Sequence, residues 1–339
     1  MPESIQLDRI LKDVSDPSQL FLSMSEHSFN GFSKEQTESD PSLQKTTVYN
    51  GKVRQCIRSG EKLFLLHTDR LSAFDRFVAS VPLKGSLLAS IANYWLLKAK
   101  EIMPTALLSQ PHERVLLQKD LKPVKAEFIV RGYLAGSMLR AYQKGERVFC
   151  GCTLPEGIPA FGKLPEPILT PTSKAESGEH DENRTPGQLI EEGVLSQDEW
   201  QYLHEKSLDL FACGTKVYGE KGWILVDTKY EFGKDRDGTL MVMDEVHTPD
   251  SSRLWKKESY ASNLQGGLEP EMFDKEIVRK YLMSQGFSGE GSIPPVPTRL
   301  MMSLLKSYAE IAFDLCNQIP DGQTLDTTEM ARILSEPES

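Results

Sequence analysis

The strongest constraint on the fold is a pair of apolar segments, residues 223–232 and 239–246, joined by a polar stretch with glycine at both ends. Segments of this length with a turn-forming connection are typical of two antiparallel β-strands. Side chains alternate between the faces of a strand, so the first segment places Asp227, Lys229 and Glu231 on one face. Charged side chains are rare inside an otherwise apolar strand. The pattern therefore predicts a polar site on one face of a sheet.

The second segment adds Asp244 and Glu245 to this predicted site. Carboxylates on neighbouring strands repel one another unless cations separate them. Lys229 supplies one positive charge, and Mg²⁺ is suited to supply more, since it binds one or two carboxylates and leaves positions for phosphate oxygens. An exposed hairpin with solvated acidic side chains is the alternative. The strongly apolar surroundings favour the metal site.

The remaining periodicity mixes β-hairpins with helices and lacks regular βαβ units, which predicts an α+β fold. Helical spacing of apolar residues marks segments 88–102 and 197–217, the second with a buried stripe that includes Leu208 and Ala212. We expect four regions: an N-terminal extension (1–45), a β-rich lobe (46–122), a central α+β domain (123–265) and a C-terminal helical region (266–339).

Two stretches lack clear periodicity. Residues 1–45 are largely polar and are interpreted as a docked or partly disordered extension without chemistry of its own. Residues 150–187 are rich in proline and glycine, and a loop this long is uncommon inside a compact domain unless it is functional or disordered. Its polar run favours a functional loop, and His180 is the one histidine there that could take part.

Composition restricts the classes of partner. Among 339 residues, 39 Lys and Arg face 49 Asp and Glu, and this net charge of −10 disfavours sequence-independent binding of nucleic acid. No apolar run approaches the length of a membrane span. Five cysteines without regular spacing indicate free thiols in a reducing compartment, and we expect a cytoplasmic protein. The oligomeric state stays open.

Three short motifs combine basic residues with glycine or hydroxyl groups. The turn at residues 50–54 could lay Lys52 against phosphate, although an ordinary exposed hairpin fits it as well. Residues 131–137 join an arginine to two glycines and a serine, as an anion cradle or a capped strand-to-helix turn would. Residues 249–255 add an aspartate, two serines and an arginine beside the predicted metal site.

Together these motifs resemble the SAICAR synthase (phosphoribosylaminoimidazole-succinocarboxamide synthase) family, and they follow the family's order. Six segments within residues 46–290 carry the resemblance: 51–54, 69–75, 131–137, 168–183, 226–233 and 244–255. The polar loop is similar to that of the larger, yeast-like subtype. The resemblance implies an α+β fold with an N-terminal antiparallel β lobe and a larger α+β lobe, related to the nucleotide clefts of ATP-grasp enzymes and kinases.

The resemblance also implies a reaction. The family joins the carboxylate of CAIR, a phosphoribosyl aminoimidazole, to the amine of L-aspartate through an acyl phosphate, giving SAICAR, ADP and phosphate in purine (IMP) biosynthesis. ATP is the co-substrate and Mg²⁺ the cofactor, and nucleic-acid or membrane partners are not expected. The long polar loop would shield the acyl phosphate from water.

Roles carry over by motif. The expected ATP-binding residues are Gly51, Lys52, Val53, Arg54, Lys229, Glu231 and Asp244, the last two also holding Mg²⁺. The expected residues for CAIR and aspartate are Arg131, Ser137, Thr172, Ser173, Lys174, Asp250, Ser251 and Arg253. Lys229 is the expected catalytic residue, and Asp75 and Glu176 are candidates for the base that deprotonates the aspartate amine.

Three positions depart from the family pattern. Gln55 stands where an acidic residue is usual, Thr172 and Ser173 reverse the usual order of the two hydroxyls, and Met138-Leu139 changes the packing beside Ser137. Two other readings stay open. A kinase for a small molecule is disfavoured because the kinase glycine loop and the His-Arg-Asp run are absent. A non-enzymatic nucleotide-binding module is disfavoured because the predicted lysines and carboxylates are retained.

Overall fold

The computed structural model describes residues 21–22, 24–25, 28–174 and 182–335. The predicted residues Glu176 and His180 lie outside this range. The chain folds into two compact units. The first comprises the residues up to Tyr94, Ala106–Asp120 and the chain from Asp274 onwards, and the second comprises Trp95–Thr105 and Leu121–Phe273. The mixture of helices with mainly antiparallel strands confirms the predicted α+β class.

The elements follow one another along the chain without regular βαβ units. The strands are β1 (Thr47–Asn50), β2 (Arg54–Ser59), β3 (Lys62–His67), β4 (Arg70–Ala73), β5 (Arg76–Ser80), β6 (Leu107–His112), β7 (Val115–Lys119), β8 (Lys122–Pro123), β9 (Ala126–Tyr133), β10 (Val148–Phe149), β11 (Cys152–Thr153), β12 (Lys163–Ser173), β13 (Trp223–Lys234), β14 (Leu240–Met243) and β15 (Ser252–Lys256). The helices from residue 34 onwards are α1 (Lys34–Ser39), α2 (Lys84–Ala99), α3 (Gly136–Gln143), α4 (Pro186–Glu191), α5 (Gln197–Glu220), α6 (Lys257–Gln265), α7 (Glu276–Ser284), α8 (Thr298–Cys316) and α9 (Thr327–Ser335). No helix in the described ranges is both long and apolar enough to span a membrane.

The first unit is built on an antiparallel sheet in the order β1-β2-β3-β7-β6, with the hairpin β4-β5 beside it in the sequence. One face of the sheet buries a cluster that draws on distant parts of the chain: Phe32, Leu43, Ile57, Phe64, Leu66, Val115, Leu325, Met330 and Ile333. The described part of residues 1–45 is therefore docked on this core, as one of the two interpretations of that segment requires. The C-terminal helix α9, which the sequence pattern did not reveal, completes the same cluster.

Gln55 explains how the N-terminal segment is held. Its side-chain amide accepts a hydrogen bond from the backbone N–H of Phe32 (2.9 Å) and donates one to the carbonyl of Phe32 (3.0 Å). An acidic side chain at this position could not donate the second bond. Glutamine at residue 55, where the family usually has an acidic residue, is thus suited to hold the backbone of the N-terminal segment at Phe32.

The second unit contains a sheet in the order β12-β9-β13-β14, in which β13 also pairs with β15 and β8. The long strand β13 is its centre. The N-terminal half of β13 pairs with β15 and its C-terminal half with β14, while β9 pairs with residues 227–230. Polar side chains on β13 thus have neighbours on both sides, a requirement for a site built across several strands.

Strand β12 corrects the prediction of a continuous loop over residues 150–187. Residues Lys163–Ser173 form a strand paired with β9, and β10 and β11 form a short hairpin before it. Pro165, Pro167 and Pro171 are tolerated because β12 lies at the sheet edge, where an N–H on the outer side needs no partner strand. The register shifts between Lys163 and Ile168, which hides the alternation that would have marked the strand.

Helix α5 covers one face of this sheet. Its first turn is closed by a capping box between Ser196 and Glu199. Trp200 of the helix stacks on Phe128 of β9 at 6.0 Å between ring centroids. The predicted stripe is wrong at two positions: Leu208 is half-buried and Ala212 is exposed. The buried residues in the described helix are Trp200, Leu203, Ser207, Leu210, Phe211, Gly214 and Tyr218.

Candidate functional site

A continuous polar surface lies on the sheet of the second unit. In the pairing of β9 with β13, Asp227 is opposite Arg131 and Tyr230 is opposite Phe128. Alternation along each strand then places Asp227, Lys229 and Glu231 on the same face as Arg131 and Glu127. The opposite face carries Phe128 and Tyr230, which are fully buried. We call the first surface the polar face. The sequence predicted its β13 residues correctly.

Two arginines share one carboxylate on the polar face. Arg253 Nη1 lies 2.6 Å from Asp227 Oδ2, and Arg131 Nη1 lies 3.7 Å from the same oxygen. Arg131 Nε also donates to Thr170 Oγ1 at 2.9 Å. Burial lowers the pKa of Arg131, and the negative charge of Asp227 opposes that shift. Guanidinium groups donate paired hydrogen bonds to carboxylates and phosphates, so these two arginines are suited to an anionic ligand.

The turn from β9 into α3 approaches Arg253 closely. Gly136 has φ +57°, and a Cβ atom there would lie 2.5 Å from Arg253 Nη2. Only glycine fits this backbone conformation and this distance together. Ser137 follows in the first turn of α3 with its side chain exposed. The motif at residues 131–137 is therefore a strand-to-helix turn that also packs against a second arginine.

A second cluster joins two lysines to two glutamates. Lys229 Nζ lies 2.6 Å from Glu127 Oε1 and 2.8 Å from Glu231 Oε1, and Lys174 forms an ion pair with the other oxygen of Glu231. Burial would lower the pKa of Lys229, but Glu231 and Glu127 raise it above its ordinary value. Burial would likewise raise the pKa of Glu231, but Lys229 and Lys174 lower it. Lys229 and Glu231 are therefore both charged at neutral pH.

Glu127 and Thr170 contact predicted site residues, Lys229 and Arg131 respectively, but were missed in the sequence. Glu127 is a charged residue within the apolar strand segment 126–130. The argument that identified Glu231 would therefore have identified Glu127 as well. Thr170 and Thr172 lie two residues apart on β12, and Thr172 is opposite Glu127. The Thr172 hydroxyl is buried and has no hydrogen-bond partner in the described ranges. A buried, unpaired hydroxyl beside charged groups is suited to contact a ligand.

Asp244 lies next to this cluster, although not within a strand. Strand β14 ends at Met243, which pairs with Glu231, and Asp244 follows with φ +67°. The predicted strand 239–246 is thus too long, because the chain leaves the extended conformation at Asp244. The register still brings the residue after Met243 close to Glu231, as the predicted pair of metal ligands requires.

The turn after Asp244 is organised by Thr248. Its hydroxyl donates to the buried carboxylate of Glu245 at 2.5 Å and accepts from the backbone N–H groups of Asp250 and Ser251, both at 3.3 Å. Glu245 therefore stabilises the turn and is not one of the cluster's glutamates. Asp250 is buried and Ser251 half-buried, and Arg253 follows on β15.

The remaining predicted residues lie in the first unit. Gly51 and Arg54 close the hairpin between β1 and β2, with the N–H of Gly51 donating to the carbonyl of Arg54 at 2.9 Å. Lys52 is exposed and forms an ion pair with Asp75 at 2.7 Å. Val53 offers its carbonyl to Thr68. Nearby Asp69 is a structural residue, since its fully buried carboxylate pairs with Arg114 at 2.8 Å.

The donor set limits what metal the described residues can hold. Within the described ranges, no group of three or more His, Cys, Asp or Glu side chains is placed to bind a metal ion. Structural zinc sites, which need four such ligands, do not fit. Glu231, whose two oxygens pair with Lys229 and Lys174, and Asp244, which follows the Glu231 partner Met243, offer carboxylate oxygens only. That set fits Mg²⁺, which binds one or two carboxylates and completes its coordination with water and phosphate.

The chain is similar to known proteins of one family. The SAICAR synthetase family model matches residues 47–294. The chloroplastic phosphoribosylaminoimidazole-succinocarboxamide synthase of Vigna aconitifolia is 45% identical over 249 residues, 72% of each chain. SAICAR synthase from Saccharomyces cerevisiae, solved in complex with SAICAR, superposes with a TM-score of 0.70 at 28% identity, covering 83% of this chain and 97% of that one. A type-2 SAICAR synthetase in complex with ADP superposes with a TM-score of 0.62 at 25% identity, covering 81% of this chain and 99% of that one.

Proposed function

The chain belongs to the SAICAR synthetase family, and we propose that the polar face of its second unit is where the reaction takes place. The protein is an ATP-dependent ligase of purine biosynthesis that joins CAIR to L-aspartate and releases SAICAR, ADP and phosphate. The observation that supports the proposed location best is the pair of arginines, Arg131 and Arg253, that share the single carboxylate of Asp227.

The arginine pair is proposed to bind CAIR. A guanidinium can donate two parallel hydrogen bonds to a phosphate or carboxylate group, and CAIR carries both groups. Ser137 at the start of α3 would add a hydroxyl and the positive end of the helix dipole. Asp250 and Ser251 would contact the same substrate, and the turn organised by Thr248 holds them in place.

The lysine–glutamate cluster is proposed to support transfer of the ATP terminal phosphate to the CAIR carboxylate. Such a transfer depends on alignment and on neutralising charge rather than on a protein nucleophile. Lys229 and Lys174 supply fixed positive charge, and Lys229 is held by Glu127 on its other side. Mg²⁺ held by Glu231 and Asp244 would neutralise phosphate charge. No other role is assigned to the ion.

Further contacts are proposed by motif. Thr172, Ser173 and Lys174, at the end of β12, would line the aspartate and CAIR site, and the unpaired hydroxyl of Thr172 supports this. In the first unit, the hairpin of residues 51–54 would bind ATP phosphate, with Lys52 exchanging its ion pair with Asp75 for the nucleotide. Asp75 and Glu176 are retained as proposed bases for the aspartate amine.

The decisive test measures ADP release and aspartate consumption together. With ATP, Mg²⁺, CAIR and aspartate present, we expect one aspartate consumed per ADP and SAICAR as the product. ADP formation that proceeds at the full rate without aspartate, leaving a phosphorylated product, would indicate a kinase instead.

Variants test the location of the site. Arg253→Gln should raise the KM for CAIR by about tenfold to a hundredfold, because a charge-assisted pair is worth about 1.5–3 kcal/mol. Arg140→Gln, on the exposed side of α3, is the matched control and should behave as the unmodified protein. Asp244→Asn should abolish Mg²⁺-dependent turnover while the fold is retained. Normal CAIR binding by the Arg253 variant would place the substrate elsewhere.

A cytoplasmic location is proposed from the cysteines. All five, Cys56, Cys150, Cys152, Cys213 and Cys316, are free thiols, as is usual in a reducing compartment. The Vigna relative bears the name chloroplastic, and a plastid is also reducing. Cell fractionation with an antibody against the protein distinguishes the two compartments.

A further inference from the structure

A buried aromatic cluster surrounds His247, within the segment 244–251 that carries Asp244, Asp250 and Ser251. The imidazole packs edge-on against Trp95 at 4.6 Å between ring centroids and against Tyr230 at 5.5 Å. His247 is 1% exposed. None of the proposed chemistry uses this side chain, so its burial beside the site needs a separate explanation.

Both the side chain and the main chain of His247 are anchored. Tyr230 Oη lies 2.6 Å from His247 Nε2, and Tyr218 Oη donates to the backbone carbonyl of His247 at 2.6 Å. Trp95 Nε1 in turn donates to Tyr218 Oη at 3.2 Å. Burial lowers the pKa of His247 to about 3, so the ring is neutral at physiological pH. Its hydrogen bond to Tyr230 therefore fixes the position of the ring, and the neutral ring offers no positive charge to a ligand.

The segment needs such anchoring because its backbone is strained. Asp244 and His247 have φ values of +67° and +52°. A side chain other than glycine in this left-handed region costs about 1 kcal/mol or more, and the conformation persists only where the surroundings enforce it. At His247 the enforcing contacts are the two tyrosine hydroxyls.

Helix α5 provides an independent sign that the ring position is specified. Gly214 lies in the interior of this helix, where glycine is about 1 kcal/mol less favourable than alanine. A Cβ atom there would lie 2.5 Å from His247 Cε1 and 2.7 Å from Nδ1. The same Cβ atom would lie 2.7 Å from Leu225 Cδ2, so the helix gives up stability where the imidazole and Leu225 both need the space.

The anchor is connected to the proposed site by short steps along the backbone. Thr248 follows His247 directly, and its hydroxyl accepts hydrogen bonds from the backbone N–H groups of Asp250 and Ser251. The carbonyl of Ser251 accepts from the backbone N–H of Lys229 at 3.0 Å. A shift of His247 would therefore move the proposed CAIR contacts, and Asp244 lies three residues before it.

We propose that His247 is a positioning residue: held by Tyr230, Tyr218 and the space at Gly214, it keeps the segment 244–251 in the conformation that aims Asp244, Asp250 and Ser251 at their ligands. The proposal rests on the proposed function of those three residues. It assigns His247 no contact with the reacting atoms.

Tyr230→Phe is the primary test, because it removes one hydroxyl and keeps the ring. We expect kcat/KM for CAIR to fall about tenfold or more, and the Kd of CAIR measured by calorimetry to rise, as for other supporting contacts around a site. His247→Asn keeps a residue that tolerates positive φ but shortens the side chain, and Gly214→Ala displaces the ring from the helix side. Both should give the same pattern.

Tyr142→Phe is the matched control, since Tyr142 is also buried and its hydroxyl donates to a backbone carbonyl, that of Pro155, at 2.7 Å. It belongs to a different buried cluster. Activities are divided by the folded fraction from near-UV circular dichroism. If Tyr230→Phe and Gly214→Ala lower the melting temperature but match Tyr142→Phe in kcat/KM and in CAIR Kd, His247 is merely structural and the proposal is overturned.

Substrate binding by the segment 244–251 and positioning of that segment by His247 are tested by different variants. If the segment does not bind the substrates at all, Asp244→Asn will be active. If the segment does bind them but His247 does not position it, Asp244→Asn will be impaired while Tyr230→Phe is not.

Discussion

The guanidinium of Arg253 lies 2.6 Å from the carboxylate of Asp227, the same oxygen that Arg131 approaches at 3.7 Å. Asp227 is 4% exposed, so the two cations are held by one buried anion. Because guanidinium groups donate paired hydrogen bonds to carboxylates and phosphates, the two arginines are suited to an anionic substrate. Asp227 itself then acts by holding the two arginines in place.

Asp227→Asn tests this relationship. The variant leaves two guanidinium groups without their carboxylate, and breaking a buried pair in this way costs about 3 kcal/mol of the free energy of unfolding. We also expect a higher KM for CAIR. Denaturant unfolding and steady-state kinetics measure the two effects. Glu156→Gln, which breaks an exposed pair with Arg147, should cost less than about 1 kcal/mol; equal losses in the two variants would contradict the assignment.

Gly136→Ala separates backbone strain from the contact with Arg253. Gly136 and Gly145 both have positive φ, +57° and +98°, but a Cβ atom meets Arg253 Nη2 at 2.5 Å only at Gly136. Both alanine variants should lose about 1 kcal/mol or more of stability. Only Gly136→Ala should also weaken CAIR binding, by about tenfold. CAIR titrations of Gly136→Ala and Gly145→Ala measure this difference. The same Kd for CAIR in both variants would show that Arg253 is not displaced.

Phe32→Ala tests whether the N-terminal segment belongs to the first unit. Phe32 is 5% exposed within the core cluster, and removing a buried phenylalanine side chain costs about 3–5 kcal/mol. Deleting residues up to 40 should therefore destabilise the fold, contrary to what an independent appendage would allow. Phe77→Ala, at a site 55% exposed, should change the free energy of unfolding by less than about 1 kcal/mol. Urea unfolding of both variants provides the comparison.

His67 makes stability depend on pH. Burial, and then the charge of Arg54, lowers its pKa from 6.5 to about 3. Between these values the unfolded chain binds a proton that the folded protein does not, so stability falls as pH falls. From pH 7 to pH 5 this amounts to about 2 kcal/mol.

The variant His67→Gln isolates that contribution. Its unfolding free energy should fall about 2 kcal/mol less than that of the unmodified protein between pH 7 and pH 5. Above pH 7 the difference between the two proteins should be constant, which serves as the internal control. Identical pH profiles would mean that His67 keeps its ordinary pKa in the folded state.

Local patterns in the sequence were enough to predict the α+β class and the polar face of β13. The two-residue alternation of Asp227, Lys229 and Glu231 identified a polar face before any partner strand was known, because side-chain direction along a strand is a property of the strand alone. The ordered motifs then identified the family.

What each side chain pairs with was decided by the tertiary structure. Asp227 became the anchor of two arginines, while Lys229 and Glu231 joined Glu127 and Lys174, because β9 and β15 pair with β13, and β12 pairs with β9, each in one particular register. Likewise, Phe32 joins the core of the first unit, and His247 is anchored, through contacts with residues that are distant in sequence. Periodicity describes which way a side chain points, but pairing energy depends on what the folded chain places opposite it.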